Sequence, residues 1–183
     1  MTHLFFSSFQ RKEKYMKISS RKITLISCVA AIYAVLTILL GDLSYAGIQI
    51  RISEALMILC LLRKEYCLSL TLGCVIANLF SPLPLDILFG SSATAIAGIL
   101  MYLLGKNGRN EKLSIAIIAS LFPVIANAFI VSSELYFFMS YPFWISVLQI
   151  SVGEFISCTI LGNILLFSIR KNKAFYHILM FRK

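Results

Sequence analysis

Long apolar runs separated by short basic clusters are the feature that most constrains the fold of this chain. Loops that stay in the cytoplasm collect Lys and Arg, whereas loops on the outer side of a membrane do not. If the chain crosses a bilayer twice between successive clusters, every one of its 17 basic residues except Arg51 is cytoplasmic. The pattern therefore predicts a multi-pass protein of the cell membrane with both termini in the cytoplasm. The clusters are Arg11, Lys12, Lys14, Lys17, Arg21 and Lys22; Arg63 and Lys64; Lys106, Arg109 and Lys112; and Arg170, Lys171, Lys173, Arg182 and Lys183.

The composition indicates that lipid is the main solvent of the protein. Hydrophobic residues make up 59% of the chain and charged residues only 14%, against roughly 25% charged residues in soluble domains. A crossing needs about 20 apolar residues, so 183 residues allow about six crossings. The apolar runs are continuous rather than alternating, which favours helices over a barrel. The predicted fold class is an all-α integral membrane protein with six transmembrane helices.

Two features that often indicate other functions have simpler explanations here. The net charge of +9 comes from basic residues at the ends of apolar runs, where topology accounts for them. Contact with anionic inner-leaflet lipids is expected, and nucleic-acid binding is not. The five cysteines are odd in number and form no CxxC pair, so buried free thiols are expected rather than disulfides or a metal site. No cofactor is predicted.

The chain divides into a basic extension (1–21, with Met16 as an alternative start), a membrane domain (22–171) and a basic tail (172–183). Only eleven residues separate Arg51 from Arg63, and as an α-helix they rise about 16 Å, half of a hydrocarbon core about 30 Å thick. This segment is either a short span that includes Arg51 and Glu54 or a re-entrant loop. Re-entry would place most basic residues outside, so a crossing is predicted. The other predicted spans are 23–40, 66–80, 85–104, 113–131 and 143–169.

Several polar side chains lie inside these apolar spans or near their outer ends, where each carries an insertion penalty of about 2.5–3.5 kcal/mol. Such residues normally face a cavity or one another. The predicted topology places all of them in the outer half or near the midplane, with one cation and four acids. They are therefore candidates for binding a substrate. The set is Arg51, Glu54, Asn78, Asp86, Asn127, Glu134 and Glu154.

Structural explanations also exist for most of these residues. Arg51 and Glu54, at positions i and i+3, are an ordinary helical ion pair. Amide side chains commonly join membrane helices, Asp86 is close to a helix N-terminus, and Glu134 is equally well explained as a solvated loop acid. Glu154 has no comparable explanation, since it lies deep in a span without a nearby basic residue.

The excess of carboxylates indicates which ligand such a cavity favours. Carboxylates bind cationic amines and pair with adjacent N–H donors such as a guanine-type edge, and amide side chains complement the mixed donors and acceptors of a heterocycle. The residues alone therefore predict a small, polar, nitrogen-rich ligand taken from outside.

Three stretches resemble the QueT family of queuosine-precursor transporters: R-x-S-E-x-L beginning at Arg51, G-C-x-x-A-N beginning at Gly73, and D-I-x-F-G beginning at Asp86. The resemblance covers about residues 22–171. It implies a substrate-binding subunit, or S component, of an energy-coupling factor transporter, with an outer pocket covered by the loop after span one. It also implies a transmembrane scaffold protein and two ATP-binding cassette ATPases as partners, and 7-deazaguanines such as 7-aminomethyl-7-deazaguanine as substrates. Ala30 and Ala34, spaced for close helix approach, match the family's scaffold-docking motif, although packing within the chain explains them equally well.

Other functions remain open from the sequence. A self-sufficient ion-coupled carrier would relay protons through Asp86 and Glu154, but the chain has no internal repeat. An S component for a different vitamin and a purely structural subunit are further alternatives. An intramembrane enzyme is not predicted, because both histidines lie outside the spans and no nucleophile–base motif occurs.

Overall fold

The computed structural model describes residues 20–41, 50–106 and 108–180, and every regular element within these ranges is a helix. The predicted all-α class is therefore confirmed. The α-helices are α1 (Ser20–Leu39), α2 (Lys64–Asn78), α3 (Asp86–Gly105), α4 (Leu113–Met139), α5 (Phe143–Glu154), α6 (Gly162–Lys171) and α7 (Lys173–Leu179). A 3₁₀ segment (Ile52–Leu61) precedes α2, a 3₁₀ turn (Arg109–Glu111) precedes α4, and a π segment (Phe155–Leu161) joins α5 to α6.

Four helices in these ranges are long and apolar enough to cross a membrane: α1, α3, α4 and the continuous helix Phe143–Lys171 formed by α5, the π segment and α6. Their outward faces are apolar, as shown by Val35, Leu88 and Ile125, which are 51%, 67% and 55% exposed. Lipid is the solvent that such faces require. The 3₁₀ segment and α2 have only 10 and 15 residues, so six crossings remain a prediction.

The 3₁₀ segment occupies the middle of the helical assembly. Eight of its ten residues are buried, and it packs against α2, α3, α6 and the π segment. A 3₁₀-helix rises about 2.0 Å per residue, so ten residues extend about 20 Å, further than the same residues would reach as an α-helix. Arg51 immediately precedes the segment and Glu54 lies in its first turn. The segment therefore carries both side chains into the interior.

Helix α4 is longer than the sequence predicts. The predicted span ends at residue 131, whereas α4 continues to Met139 and ends at Ser140, whose φ of 54° is left-handed. Glu134 therefore lies within the helix, and it is 1% exposed. The explanation of Glu134 as a solvated loop acid is wrong. Pro123 is buried inside the same helix, as membrane helices tolerate when neighbouring groups satisfy the freed carbonyl.

Helices α1 and α2 touch through their backbones. A Cβ atom added to Gly73 would lie 2.7 Å from the carbonyl oxygen of Ala30, so only glycine fits this contact. Ala30 and Ala34 are 7% and 4% exposed, and the small residues thus serve packing within the chain. Scaffold docking through these alanines remains a prediction, and a partner would have to reach two buried residues.

Candidate functional site

All seven polar residues singled out by the sequence are buried in the helical assembly. Their exposures are 3% for Arg51, 0% for Glu54, 1% for Asn78, 2% for Asp86, 4% for Asn127, 1% for Glu134 and 2% for Glu154. They form two neighbouring groups. The arginine group consists of Arg51, Asn78, Ser81, Asp86 and Glu134, and the glutamate group consists of Tyr33, Glu54, Asn127, Glu154 and Cys158.

The arginine group forms where the 3₁₀ segment begins, α2 ends and α3 begins. Arg51 Nη2 lies 4.0 Å from Asp86 Oδ2, and both side chains are almost fully buried. Asn78 Nδ2 donates a hydrogen bond of 2.7 Å to the backbone carbonyl of Asp86, and the Ser81 hydroxyl donates to Asp86 Oδ2. The cap of α3 is Leu85, without a side-chain cap bond. The explanation of Asp86 as a helix cap is therefore wrong, because its carboxylate binds Ser81 and Arg51 instead.

Gly90 provides the space that the arginine group needs. A Cβ atom at this position would lie 2.8 Å from Asn78 Nδ2 and 3.8 Å from Arg51 Nη1. The glycine of the D-I-x-F-G stretch therefore lets the Asn78 amide lie against the backbone of α3, whereas Arg51 is at ordinary van der Waals distance. Glu134 reaches the same region from α4 and interacts electrostatically with Asp86 and Arg51.

The glutamate group brings together the carboxylates of Glu54 and Glu154. The Tyr33 hydroxyl donates to Glu54 Oε1. Cys158 Sγ donates to Glu154 Oε2 at 3.2 Å and contacts the backbone carbonyl of Glu54 at 3.5 Å. Asn127 interacts electrostatically with Glu154 from α4. The group thus joins α1, the 3₁₀ segment, α4, α5 and the π segment, an element type that is frequent at functional sites.

One carboxylate oxygen each from Glu54 and Glu154 and the Cys158 sulfur lie within 4.8 Å of one another. In the described part of the chain these are the atoms close enough to hold a metal ion. The thiol, however, already acts as a donor to Glu154, whereas a metal ligand would be a thiolate. The arrangement is better described as two carboxylates with a thiol that positions one of them.

Several buried oxygens of the site have no hydrogen-bond partner among the residues that the structure describes. They belong to acceptors only: Glu54 Oε2, Asn78 Oδ1, Asp86 Oδ1 and both carboxylate oxygens of Glu134. Leaving a buried polar group unpaired costs about 1–3 kcal/mol, so a fold selected for stability alone would pair them. A molecule rich in N–H donors would satisfy these oxygens.

Three members of the site are not among the residues predicted from the sequence: Tyr33, Ser81 and Cys158. A signal exists for Cys158, which lies four residues after Glu154 and so on the same helical face. Cys74 is also a polar neighbour, since it accepts from Asn78 at 3.4 Å. The thiols therefore act as more than small hydrophobes, and Cys28 is exposed rather than buried.

These features define a class: a multi-pass helical membrane protein that encloses a cluster of buried polar side chains. Comparison with known proteins gives the family within that class. The QueT transporter family model matches residues 23–171. The queuosine precursor transporter QueT of Lactococcus lactis subsp. cremoris (strain MG1363) is 32% identical over 145 residues, which cover 74% of this chain and 84% of that protein. The chain therefore belongs to the QueT transporter family, and no solved structure matches it.

Family membership confirms several predictions made from the residues. The resemblance to the QueT family is correct. The protein is a multi-pass membrane protein of a transporter family, and transporters are not enzymes. Its substrate is a small molecule, as its family requires.

Proposed function

We propose that this chain is the S component of an energy-coupling factor importer and captures a queuosine precursor from outside the cell. The substrate is a 7-deazaguanine such as 7-aminomethyl-7-deazaguanine. The observation that carries the proposal is the set of buried acceptor oxygens without partners around Arg51, in a relative of a queuosine precursor transporter.

The arginine group has the chemistry to recognise a guanine-type edge. That edge presents a ring N–H and an exocyclic amine side by side, and a carboxylate accepts both at once. Asp86 Oδ1 and the two oxygens of Glu134 are the acceptors available there. Asn78 Oδ1 is a further acceptor, and Arg51 supplies donors to a ring carbonyl oxygen. The acids and the arginine thus match both kinds of polar group on the heterocycle.

Energy for transport comes from separate subunits in this proposal. The chain contains no G-x-x-x-x-G-K-[ST] phosphate-binding motif. A transmembrane scaffold protein and two ATP-binding cassette ATPases therefore complete the importer. This chain alone binds the substrate but does not accumulate it.

The proposed topology has six crossings, with the 3₁₀ segment and α2 as the two short ones. The membrane domain is 22–171, and the extension 1–21 and tail 172–183 lie in the cytoplasm with both termini. Cysteine-accessibility labelling from each side of the membrane tests this arrangement. Residues 1–19, the loop 42–49 with its predicted covering role over the pocket, and Arg182 and Lys183 lie outside the described residues.

Binding by the purified subunit tests the function directly. Isothermal titration in detergent is expected to show saturable binding of 7-aminomethyl-7-deazaguanine without any ATPase present, with adenine as the matched negative control. Liposomes that contain only this subunit are expected to show no accumulation, and addition of the scaffold, both ATPases and ATP restores it. Binding of a flavin or thiamin in place of the deazaguanine would contradict the substrate, and accumulation by the subunit alone would support the ion-coupled carrier.

A further inference from the structure

Charge is distributed unevenly between the two groups of the site. Arg51 is the one basic residue among the buried side chains of the described ranges, and it lies against Asp86. The glutamate group holds two carboxylates and contains no basic residue. The arginine group therefore holds one cation for two acids, whereas the glutamate group holds two acids and feels Arg51 only from the neighbouring group.

The glutamate group is built to keep its two carboxylates close together. Glu54 accepts from the Tyr33 hydroxyl on α1, and Glu154 accepts from the Cys158 thiol. Glu54 and Glu154 are 0% and 2% exposed, so water and salt screen their mutual repulsion weakly. Glu54 Oε2 is buried and has no hydrogen-bond partner within the described chain. Close, buried like charges are relieved by a proton on one carboxyl or by a cation between the two.

The dimensions favour a compact ammonium group as that cation. A charge-assisted N–H···O bond is about 2.7–2.9 Å long, so one nitrogen atom fits between two carboxylate oxygens that lie within 4.8 Å of each other. An ammonium group has three donors on one atom, whereas a guanidinium spreads its donors over a plane. A primary amine on a short arm is therefore the ligand group that fits.

We propose that Glu54 and Glu154 form a subsite for a primary ammonium group and make the protein selective for cationic over neutral 7-deazaguanines. This inference rests on the proposed function and deepens it. The heterocycle lies against the arginine group, and the aminomethyl arm points to the two glutamates. Cys158 is a positioning residue, because its thiol donates to Glu154 Oε2 and so orients that carboxylate.

The test compares two ligands of nearly equal shape: 7-aminomethyl-7-deazaguanine, which carries the ammonium, and 7-ethyl-7-deazaguanine, in which a methyl group replaces it. The wild-type protein is expected to bind the amine at least tenfold more tightly than the ethyl analogue. Glu54→Gln and Glu154→Gln are each expected to weaken binding of the amine roughly 10- to 100-fold, with little change for the ethyl analogue.

Glu134→Gln is the matched control, because it neutralises a buried acid of the same site in the arginine group. It is expected to weaken both ligands by the same factor and to leave their ratio unchanged. Cys158→Ser retains a donor to Glu154 and is expected to keep the selectivity, whereas Cys158→Ala reduces it. Thermal unfolding of each variant confirms that it is folded.

The outcomes separate this inference from the function on which it rests. Equal affinity of the wild-type protein for both deazaguanines overturns the ammonium subsite and leaves the proposed function intact. Loss of selectivity in Glu134→Gln rather than in the two glutamate-group variants also overturns it. Absence of binding by both ligands overturns the proposed function and the subsite together.

Discussion

An ion network at the other ends of α1 and α2 contains the same kinds of charged side chain as the buried site, but the ratio of cations to acids is reversed. In that network, which consists of Lys22, Arg63 and Glu65, two cations share one acid. Glu65 Oε1 accepts from Lys22 at 3.3 Å and from Arg63 Nη2 at 3.0 Å. Arg63 also donates to the backbone carbonyl of Met180 at 2.8 Å. In the buried site one cation serves four acids, and several of their oxygens lack partners in the described chain.

The difference distinguishes charges that serve the fold from those proposed to bind a ligand. The side chains of Lys22, Arg63 and Glu65 in this network are 36%, 29% and 14% exposed, so water also solvates their charges. Their ion pairs connect the N-terminal ends of α1 and α2. The site is closed to such compensation. Buried acids in excess of cations are the pattern expected of the proposed ligand site.

The largest expected effect is that of Arg51→Gln. Removing one partner of a buried ion pair leaves Asp86 uncompensated and destabilises a protein by about 3–5 kcal/mol. The variant is expected to unfold at a clearly lower temperature in detergent and to lose ligand binding. Arg51→Gln combined with Asp86→Asn is expected to recover most of the stability but not the binding. If the single variant is as stable as the wild type, the arginine group does not depend on its ion pair.

A smaller effect is expected at the contact that joins the two regions, between Ala30 and Gly73. Gly73→Ala places a Cβ atom 2.7 Å from a backbone oxygen, and such overpacking costs about 1–3 kcal/mol. Because this contact lies between the network and Tyr33 along α1, both stability and ligand affinity are expected to fall. Gly162→Ala is the comparison, since its nearest contact is 3.3 Å and its effect is expected to be smaller. Equal thermal stability of Gly73→Ala and the wild type would show that the α1–α2 contact is looser than described.

The smallest effect is expected in the network itself. Glu65→Gln should lower the free energy of unfolding by at most about 1 kcal/mol, because partly exposed ion pairs contribute little, and added salt should reduce the difference further. Ligand affinity should not change. A loss of affinity equal to that of Glu154→Gln would remove the distinction between the two regions.

The pH dependence of the network has a definite sign. Partial burial raises the pKa of Glu65, but hydrogen bonds from Arg63, from its own backbone N–H and from Lys22 outweigh this and lower the pKa to about 2. A carboxylate whose folded-state pKa lies below its unfolded value of about 4.3 stabilises the fold above that value. The contribution of Glu65 is therefore lost as pH falls from about 4 towards 2, and Glu65→Gln should abolish that part of the pH profile.

The sequence predicts the helices well because apolar runs and basic clusters mark where a chain enters and leaves lipid. It does not predict the 3₁₀ and π segments, since hydropathy contains no information on the hydrogen-bond register within a helix. Nor does the sequence predict where α4 ends. The helix continues for eight residues beyond the predicted span before it ends at Ser140. Local spacing indicates that Ala30 and Ala34 approach a neighbour closely, but not that the neighbour of Ala30 is Gly73 of the same chain.

The acidic, basic and amide members of the site are predictable from the sequence, but their pairings and their hydroxyl and thiol neighbours are not. Glu154 and Asp86 stand out because a charge in an apolar run requires compensation wherever it lies. Their partners come from tertiary packing. Arg51 lies against Asp86 although Glu54 is nearer in sequence. Tyr33 gives no signal, since a tyrosine in an apolar run is ordinary in a membrane helix.

The unequal lengths of the helices have a consequence for the surrounding lipid. Helix α2 has 15 residues and presents Leu68, Leu72 and Ile76 outward, yet it rises only about 22 Å, short of an undisturbed hydrocarbon core of about 30 Å. Helix α4, with 27 residues, rises about 40 Å. If α2 crosses the bilayer as proposed, lipid thins against it, while α4 tilts or extends beyond the acyl chains. A thicker membrane would then strain the 3₁₀ segment and α2, the elements that place Arg51, Glu54 and Asn78 in the site.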